Sequence, residues 1–229
     1  MSTPIRTLLA GLALLLLSAC GTPPQKPMDL NAGALSTKSA RVGVVMAPLP
    51  KVDTTFPGAG CLLCYAAASV ANSSLTAHAQ TLPSDDLVKI KSDLAELLRK
   101  KGLDAVVIDE TVKVGDLPDF AGKAPDYARK DFSQLQTKYK LDKLLVIDIG
   151  EVGISRNYAS YVPTGAPTGV VRGAGYLVNL KDNSLEWYVP LQEAKGTVNW
   201  DEPPRFPGLS NAYFQALEAA RDTLLKPFM

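Results

Sequence analysis

The stretch SDDLVKIKSDLAELLRKKGLDAVVI, Ser84 to Ile108, decides the fold. Ser84 stands where a helix N-cap would, and Asp85 and Asp86 follow in a first turn whose dipole favours negative charge. Leu87, Ile90, Leu94, Leu97 and Leu98 then recur at helical spacing, and Arg99, Lys100 and Lys101 crowd the last turn before Gly102. A helix from 85 to about 101 follows from this pattern. Asp104 to Glu110, centred on Ala105-Val106-Val107-Ile108, has the β-branched content of a buried strand and begins almost where the helix ends. Upstream, Arg41 to Ala47 carries Val42, Val44, Val45 and Met46 and is stopped by Pro48 and Pro50, so it reads as an earlier buried strand. Strand, helix and strand make a β–α–β unit with a parallel pair.

The elements beyond this unit change character along the chain. Cys61 to Leu75, CLLCYAAASVANSSL, is apolar or small throughout and reads as a short helix. Its bulky members, Leu62, Leu63 and Tyr65, read first as core and second as a surface for a membrane or partner. Asp126 to Lys140 reads as a helix with Phe132, Leu135 and Tyr139 on one face, followed by a strand at Leu144–Ile149 and a bend at Gly150 and Gly153. After a long loop, Asn157 to Gly169, the residues Tyr176, Val178 and Leu180 alternate, 181–184 turns, and Leu185, Trp187 and Val189 alternate back as a hairpin. Tyr213, Leu217, Ala220 and Leu224 mark a closing helix that ends before Pro227. The expected fold class is α/β: a mixed sheet with a parallel β–α–β start, a C-terminal antiparallel hairpin and flanking helices.

At the amino terminus, Arg6 precedes an apolar run from Leu8 to Leu17, and Leu17-Ser18-Ala19-Cys20-Gly21 ends it. This arrangement resembles a bacterial lipobox. The resemblance implies a signal peptide over 1–19, an acylated Cys20 at the new amino terminus, and attachment to a membrane through lipid chains rather than a spanning helix. Residues 20–40, Gly-, Pro- and polar-rich with few periodic apolar positions, read as the acylated cysteine and a disordered tether, and 41–229 as one α/β periplasmic domain. The chain has 24 Lys and Arg and 23 Asp and Glu, so loss of Arg6 with the signal leaves it formally neutral. Nothing in that balance steers nucleic acid.

Candidate chemistry centres on Cys61 and Cys64. Their C-x-x-C spacing suits reversible dithiol chemistry at a helix start and resembles the motif of thioredoxin-like proteins. In those proteins, however, it follows the first strand almost directly, behind an aromatic residue and with a cis-proline before the third strand, whereas here about a dozen residues separate it from the preceding strand, Gly60 stands before Cys61 and no proline lies in Lys140–Lys143. A structural disulfide between Cys61 and Cys64 is therefore expected, with a redox pair as the alternative. His78 would give those cysteines a third ligand at most, short of the four that a structural zinc site needs, so no metal is assigned. No nucleophile elbow, phosphate loop or dinucleotide fingerprint is present, and the paired acids Asp85-Asp86 and Asp109-Glu110 have structural explanations, so no catalytic residue and no cofactor are expected. The loop Arg156–Pro163 offers Tyr158 and Tyr161, read equally as a contact surface or as rings laid on the sheet.

In element order, from Arg41 to Leu225, the domain resembles envelope lipoproteins of the type built on the amino-terminal domain of TolB, which include the curli-secretion lipoprotein. That resemblance implies a non-catalytic envelope lipoprotein acting through protein contacts, with an envelope protein or a second copy as partner. Gly21, in place of the aspartate that retains lipoproteins in the inner membrane of enteric bacteria, implies the outer membrane, facing the periplasm. The alternative is a membrane-tethered thiol–disulfide oxidoreductase using Cys61 and Cys64.

Overall fold

The computed structural model describes residues 25–37, 39–122, 124–202 and 205–229. The expected signal peptide, Cys20 and the start of the expected tether lie outside them. Strand β1 (Arg41–Met46) pairs in parallel with β3 (Asp104–Val107) on one side and with β4 (Lys143–Ser155) on the other. Strand β4 then pairs antiparallel with β7 (Thr168–Asn179), and β7 with β8 (Ser184–Gly196), giving the order β3-β1-β4-β7-β8. A short strand β2 (Asp53–Thr55) runs parallel to the far end of β4. The mixed α/β sheet is thus the expected one. Its hairpin strands are longer than the alternation suggested, because β7 and β8 continue along β4 to that far end.

Helices α1 (Leu62–Ala71) and α2 (Ser73–Ala79) replace the single helix expected over 61–75, broken at Asn72. Helix α3 (Asp85–Lys100) buries Leu87, Ile90, Leu94, Ala95 and Leu98 as its periodicity predicts; Ser84 holds the cap position, though its side chain makes no capping bond. Helix α4 is confined to Ser133–Tyr139, where a helix over 126–140 was expected. The physical reason is Asn183, in the hairpin turn. Its amide nitrogen donates to the carbonyls of Ala128 and Lys130, each at 3.0 Å, and so keeps them out of a helix. Helix α5 (Pro207–Leu225) closes the chain.

The sheet is covered on both faces. On one face Val42, Val44, Leu145, Ile147, Leu177 and Trp187 pack against α3 and α5. On the other, Leu144, Val146, Tyr176 and Val178 pack against α4 and the connection from Ile108 to Phe132. Helix α5 comes so close to β7 that a Cβ on Gly169 would sit 2.4 Å from the Tyr213 Cα.

Residues 28–34, expected within the disordered tether, lie along the open edge of the sheet. Met28 pairs antiparallel with Tyr188, the Asn31 amide donates to the Glu186 carbonyl at 2.9 Å, and Ala34 is buried. Lys143 explains the attachment. It is buried on β4, bridges Glu186 at 2.6 Å and donates to the Ala34 carbonyl at 2.7 Å, so a charge taken from water is answered partly by the segment itself. The segment also occupies backbone groups that β8 would otherwise leave as an unpaired edge.

Replacing Lys143 by Ala leaves Glu186 uncompensated, and the expected cost is about 3 kcal/mol. Chemical denaturation should show that loss, together with weaker amide exchange protection at Met28 and Asn31; a variant as stable as wild type would contradict the role given to Lys143.

Candidate functional site

From Thr54 to Ser84 the chain contains no Asp, Glu, Lys or Arg, and from Asn157 to Val171 again none. The fold brings these two segments together at one end of the sheet. Strand β2 leads into the loop Phe56–Gly60 and then α1, while β5 (Tyr158–Ala159) and β6 (Val162–Pro163) form a small hairpin beside them. Gly58 makes the join possible. Its φ is +87°, and a Cβ there would lie 1.8 Å from the Tyr158 carbonyl oxygen. Across this contact the Tyr158 amide donates to the Pro57 carbonyl at 2.7 Å, and the Ser160 amide to the Gly58 carbonyl at 3.2 Å.

Helix α1 starts at Cys61, whose sulfur accepts the Cys64 amide at 2.9 Å. Cys61 and Cys64 are joined as a disulfide across the first turn, with their Cα atoms 5.0 Å apart. Cys64 and Ala68 are the buried residues of the helix and pack with Phe56, Ala59 and Tyr158. Phe56 meets Tyr65 and Tyr158 edge to face, both at 5.9 Å. Beneath the helix, buried Asn72 donates from its amide to the Ala68 carbonyl at 2.7 Å and to the Tyr158 hydroxyl at 2.6 Å, and accepts from Arg156 at 2.8 Å. Arg156 lies over the Trp200 ring, 4.8 Å from its centre. The cation nearest this end is therefore turned inward and held.

What α1 presents outward is apolar. Leu62 is 86% exposed, Leu63 71%, Val70 77% and Tyr65 51%, which overturns the reading of Leu62, Leu63 and Tyr65 as core. The neighbouring hairpin adds exposed Tyr161 and Val162, and the Tyr161 hydroxyl stands 3.7 Å from the Cys61 sulfur. The two loop tyrosines thus divide: Tyr158 is buried as a support, and Tyr161 faces out. At roughly 100 Å² for each such side chain, these six reach the upper end of the ~300–600 Å² patch that a monomer ordinarily leaves exposed. Leu62, Leu63, Val70 and Val162 were not assigned as site residues from their sequence. The signal that marks them is the uninterrupted lack of charge, since an exposed helix in a chain with 21% charged residues would ordinarily carry some.

His78 sits on α2 against Phe206, and its Nε2 is 2.8 Å from the Ser210 hydroxyl on α5. Among the described residues no group of three or more His, Cys, Asp or Glu gathers as metal ligands.

No family model matches the chain, and no curated protein matches it in sequence. Solved structures give distant likenesses. The PelC dodecamer from Paraburkholderia phytofirmans is 13% identical over 88% of this chain and 92% of that one, with a TM-score of 0.36. The protein XCC0632 from Xanthomonas campestris, assigned to DUF330, is 12% identical over 89% and 92%, with a TM-score of 0.38. A Helicobacter pylori protein described as a homologue of a neuraminyllactose-binding hemagglutinin is 10% identical over 90% of each chain, with a TM-score of 0.35. At these scores the likenesses do not bear on what the site does. No helix among the described residues is long and apolar enough to cross a membrane.

Two outcomes follow from this geometry. Asn72→Ala removes the amide that joins α1, Tyr158 and Arg156, and should destabilise the protein by about 1–3 kcal/mol in chemical denaturation; an unchanged midpoint would show that the hub is dispensable. Burial pushes the His78 pKa below its ordinary 6.5, so folding favours the neutral ring. That stability is present above pH 6.5 and is lost as pH falls through the lowered folded value. Thermal melts should therefore show wild type losing ground against His78→Gln between pH 7.5 and about 5, and parallel curves would contradict the assignment.

Proposed function

We propose that this protein is a non-catalytic envelope lipoprotein, acylated at Cys20, that works by docking another protein on its uncharged end. The single observation that carries this reading is the outward set Leu62, Leu63, Tyr65, Val70, Tyr161 and Val162, held on a hydrogen-bonded platform instead of folded inward. Burying such a Leu is worth roughly 1.5–3 kcal/mol, so a rigid end that leaves several in water is poised to gain from association. Tyr and large aliphatics without charge are also what the centre of a protein interface contains. The lipobox resemblance at Cys20 and the Gly21 that follows it support attachment to the outer membrane on its periplasmic side.

The decisive experiment uses the full-length chain in its own envelope. Leu62→Asp with Leu63→Asp should reduce the detergent-extracted protein from a larger assembly to a free protomer in sedimentation, with the circular dichroism unchanged. A wild-type chain that already sediments as a protomer, or a double variant that keeps the assembly, would contradict docking at this end. Cys20→Ser should move the protein from the membrane to the soluble fraction; retention on membranes would refute the lipid anchor.

One observation favours a second reading, a tethered thiol–disulfide oxidoreductase. Cys61 is exposed at a helix amino terminus while Cys64 is buried behind it, the placement in which a dipole stabilises an attacking thiolate. The disulfide's reduction potential separates the two. A structural bridge lies below about −300 mV, and a catalytic one lies higher. The structural assignment also expects Cys61→Ala/Cys64→Ala to cost ~2 kcal/mol and to keep the assembly, since a loop this short closes at small entropic gain.

A further inference from the structure

Away from the uncharged end, the opposite face of the sheet carries a cavity of about 560 Å³, a size ordinary for small-molecule sites. Three adjacent strands floor it. Asp148 of β4, Ala174 of β7 and Pro190 of β8 form one cross-strand row, and Val146, Tyr176 and Tyr188 form a parallel row two residues along each strand. The rings of Tyr176 and Tyr188 lie 6.1 Å apart at 29°, and Phe132 approaches Tyr176 at 6.1 Å. Ala128, Arg129 and Lys130 line one wall, and Gln25, whose amide donates to the Pro125 carbonyl, lines another.

Asp148 is the feature that packing does not explain. It continues the alternation of Leu144 and Val146, both fully buried on this face, so an apolar side chain there would extend the core. A half-buried carboxylate stands there instead, and among the described residues nothing hydrogen-bonds or ion-pairs with it. Of the two cations lining the cavity, Lys130 bridges Asp119 at 2.8 Å and donates to the Leu117 carbonyl, while the charge of Arg129 is felt at Tyr188 on the cavity floor. Small Ala174, paired with Asp148 across the sheet, leaves the space above it open.

We propose that this cavity is a binding site for a primary ammonium on an apolar stem, the cation on Asp148 and the stem against the rings of Tyr176 and Tyr188. The chemistry selects that class. A neutral apolar guest would strip water from the carboxylate and offer nothing in return, and an anion set against Asp148 would be repelled by its carboxylate. An ammonium gives the carboxylate a charge-assisted hydrogen bond and is attracted to the faces of the two tyrosines. Burial raises the Asp148 pKa, the direction expected of a carboxylate drawn away from water on an otherwise apolar sheet face.

Calorimetric titration of the full chain with n-hexylammonium, and with n-hexanol as its neutral counterpart, tests this site. Saturable binding of n-hexylammonium is expected, weakened at least about tenfold in Asp148→Asn, the effect of losing one charged contact. Asp148→Asn keeps the side chain's shape and removes an unanswered charge, so it should fold as well as wild type, and its melting curve checks that. No saturable binding of n-hexylammonium, equal binding of n-hexanol, or equal binding by Asp148→Asn would each overturn the proposal. None of these outcomes depends on the uncharged end, which lies outside the cavity.

Discussion

Helix α1 touches its own domain through Cys64 and Ala68, and everything distinctive about the far end of the sheet follows from how small those two residues are. A ten-residue apolar helix would ordinarily lay its largest side chains on the core. This one cannot, because Phe56 and Tyr158 fill the space beneath it and Asn72 ties its last turn to both Tyr158 and Arg156. Leu62, Leu63 and Val70 are thereby kept in water by hydrogen bonds in the platform, not by any local preference of their own. Turning the helix over to bury the leucines would leave the Asn72 amide, the Tyr158 hydroxyl and the Arg156 guanidinium without partners, and buried polar groups without partners are costly.

The remainder of the molecule serves to make that end rigid. Strand β4 runs from the buried Lys143 to Ser155 with one bulge at Gly150, so the platform is an extension of the central strand and not a loose appendage. Gly153, at φ +148°, lets β2 approach so closely that a Cβ would lie 1.9 Å from the Asp53 carbonyl oxygen, which fixes the start of the segment leading to α1. At the sheet's other edge, Lys143 and Glu186 hold residues 28–34 against β8. A lipid anchor at Cys20 would then be only a few residues from folded structure, so the domain would stand close to its membrane and not swing on a twenty-residue leash.

Much of the fold was legible in the sequence because its core elements obey simple periods. Leu87 to Leu98 and Val42 to Met46 are buried as spaced, and the Lys181–Ser184 turn joins the expected hairpin strands. The failures share a cause. Residues 126–132 have helical spacing, but Asn183, a side chain more than fifty positions away, binds the carbonyls of Ala128 and Lys130 and keeps them out of a helix, and residues 28–34 look like linker but pair with β8. Periodicity reports local preference and is silent about such distant hydrogen bonds. The candidate site shows the same limit. Cys61, Cys64 and Tyr161 drew attention by type, whereas the exposure of Leu62 and Leu63 depends on Tyr158 and Asn72, which no spacing rule connects. Asp148 likewise reads as an interruption in a strand until Tyr176 and Tyr188 are seen beside it.

The central claim is that the apolar end is covered by protein in the envelope. Placing a photo-crosslinking amino acid at Leu63 of the full-length chain in living cells, with one at exposed Glu218 on α5 as the control, tests it most directly. The account predicts a discrete protein adduct from position 63, either a second copy or one other chain, and none of the same size from position 218. Adducts to lipid alone at position 63, or the same adducts from both positions, would contradict it.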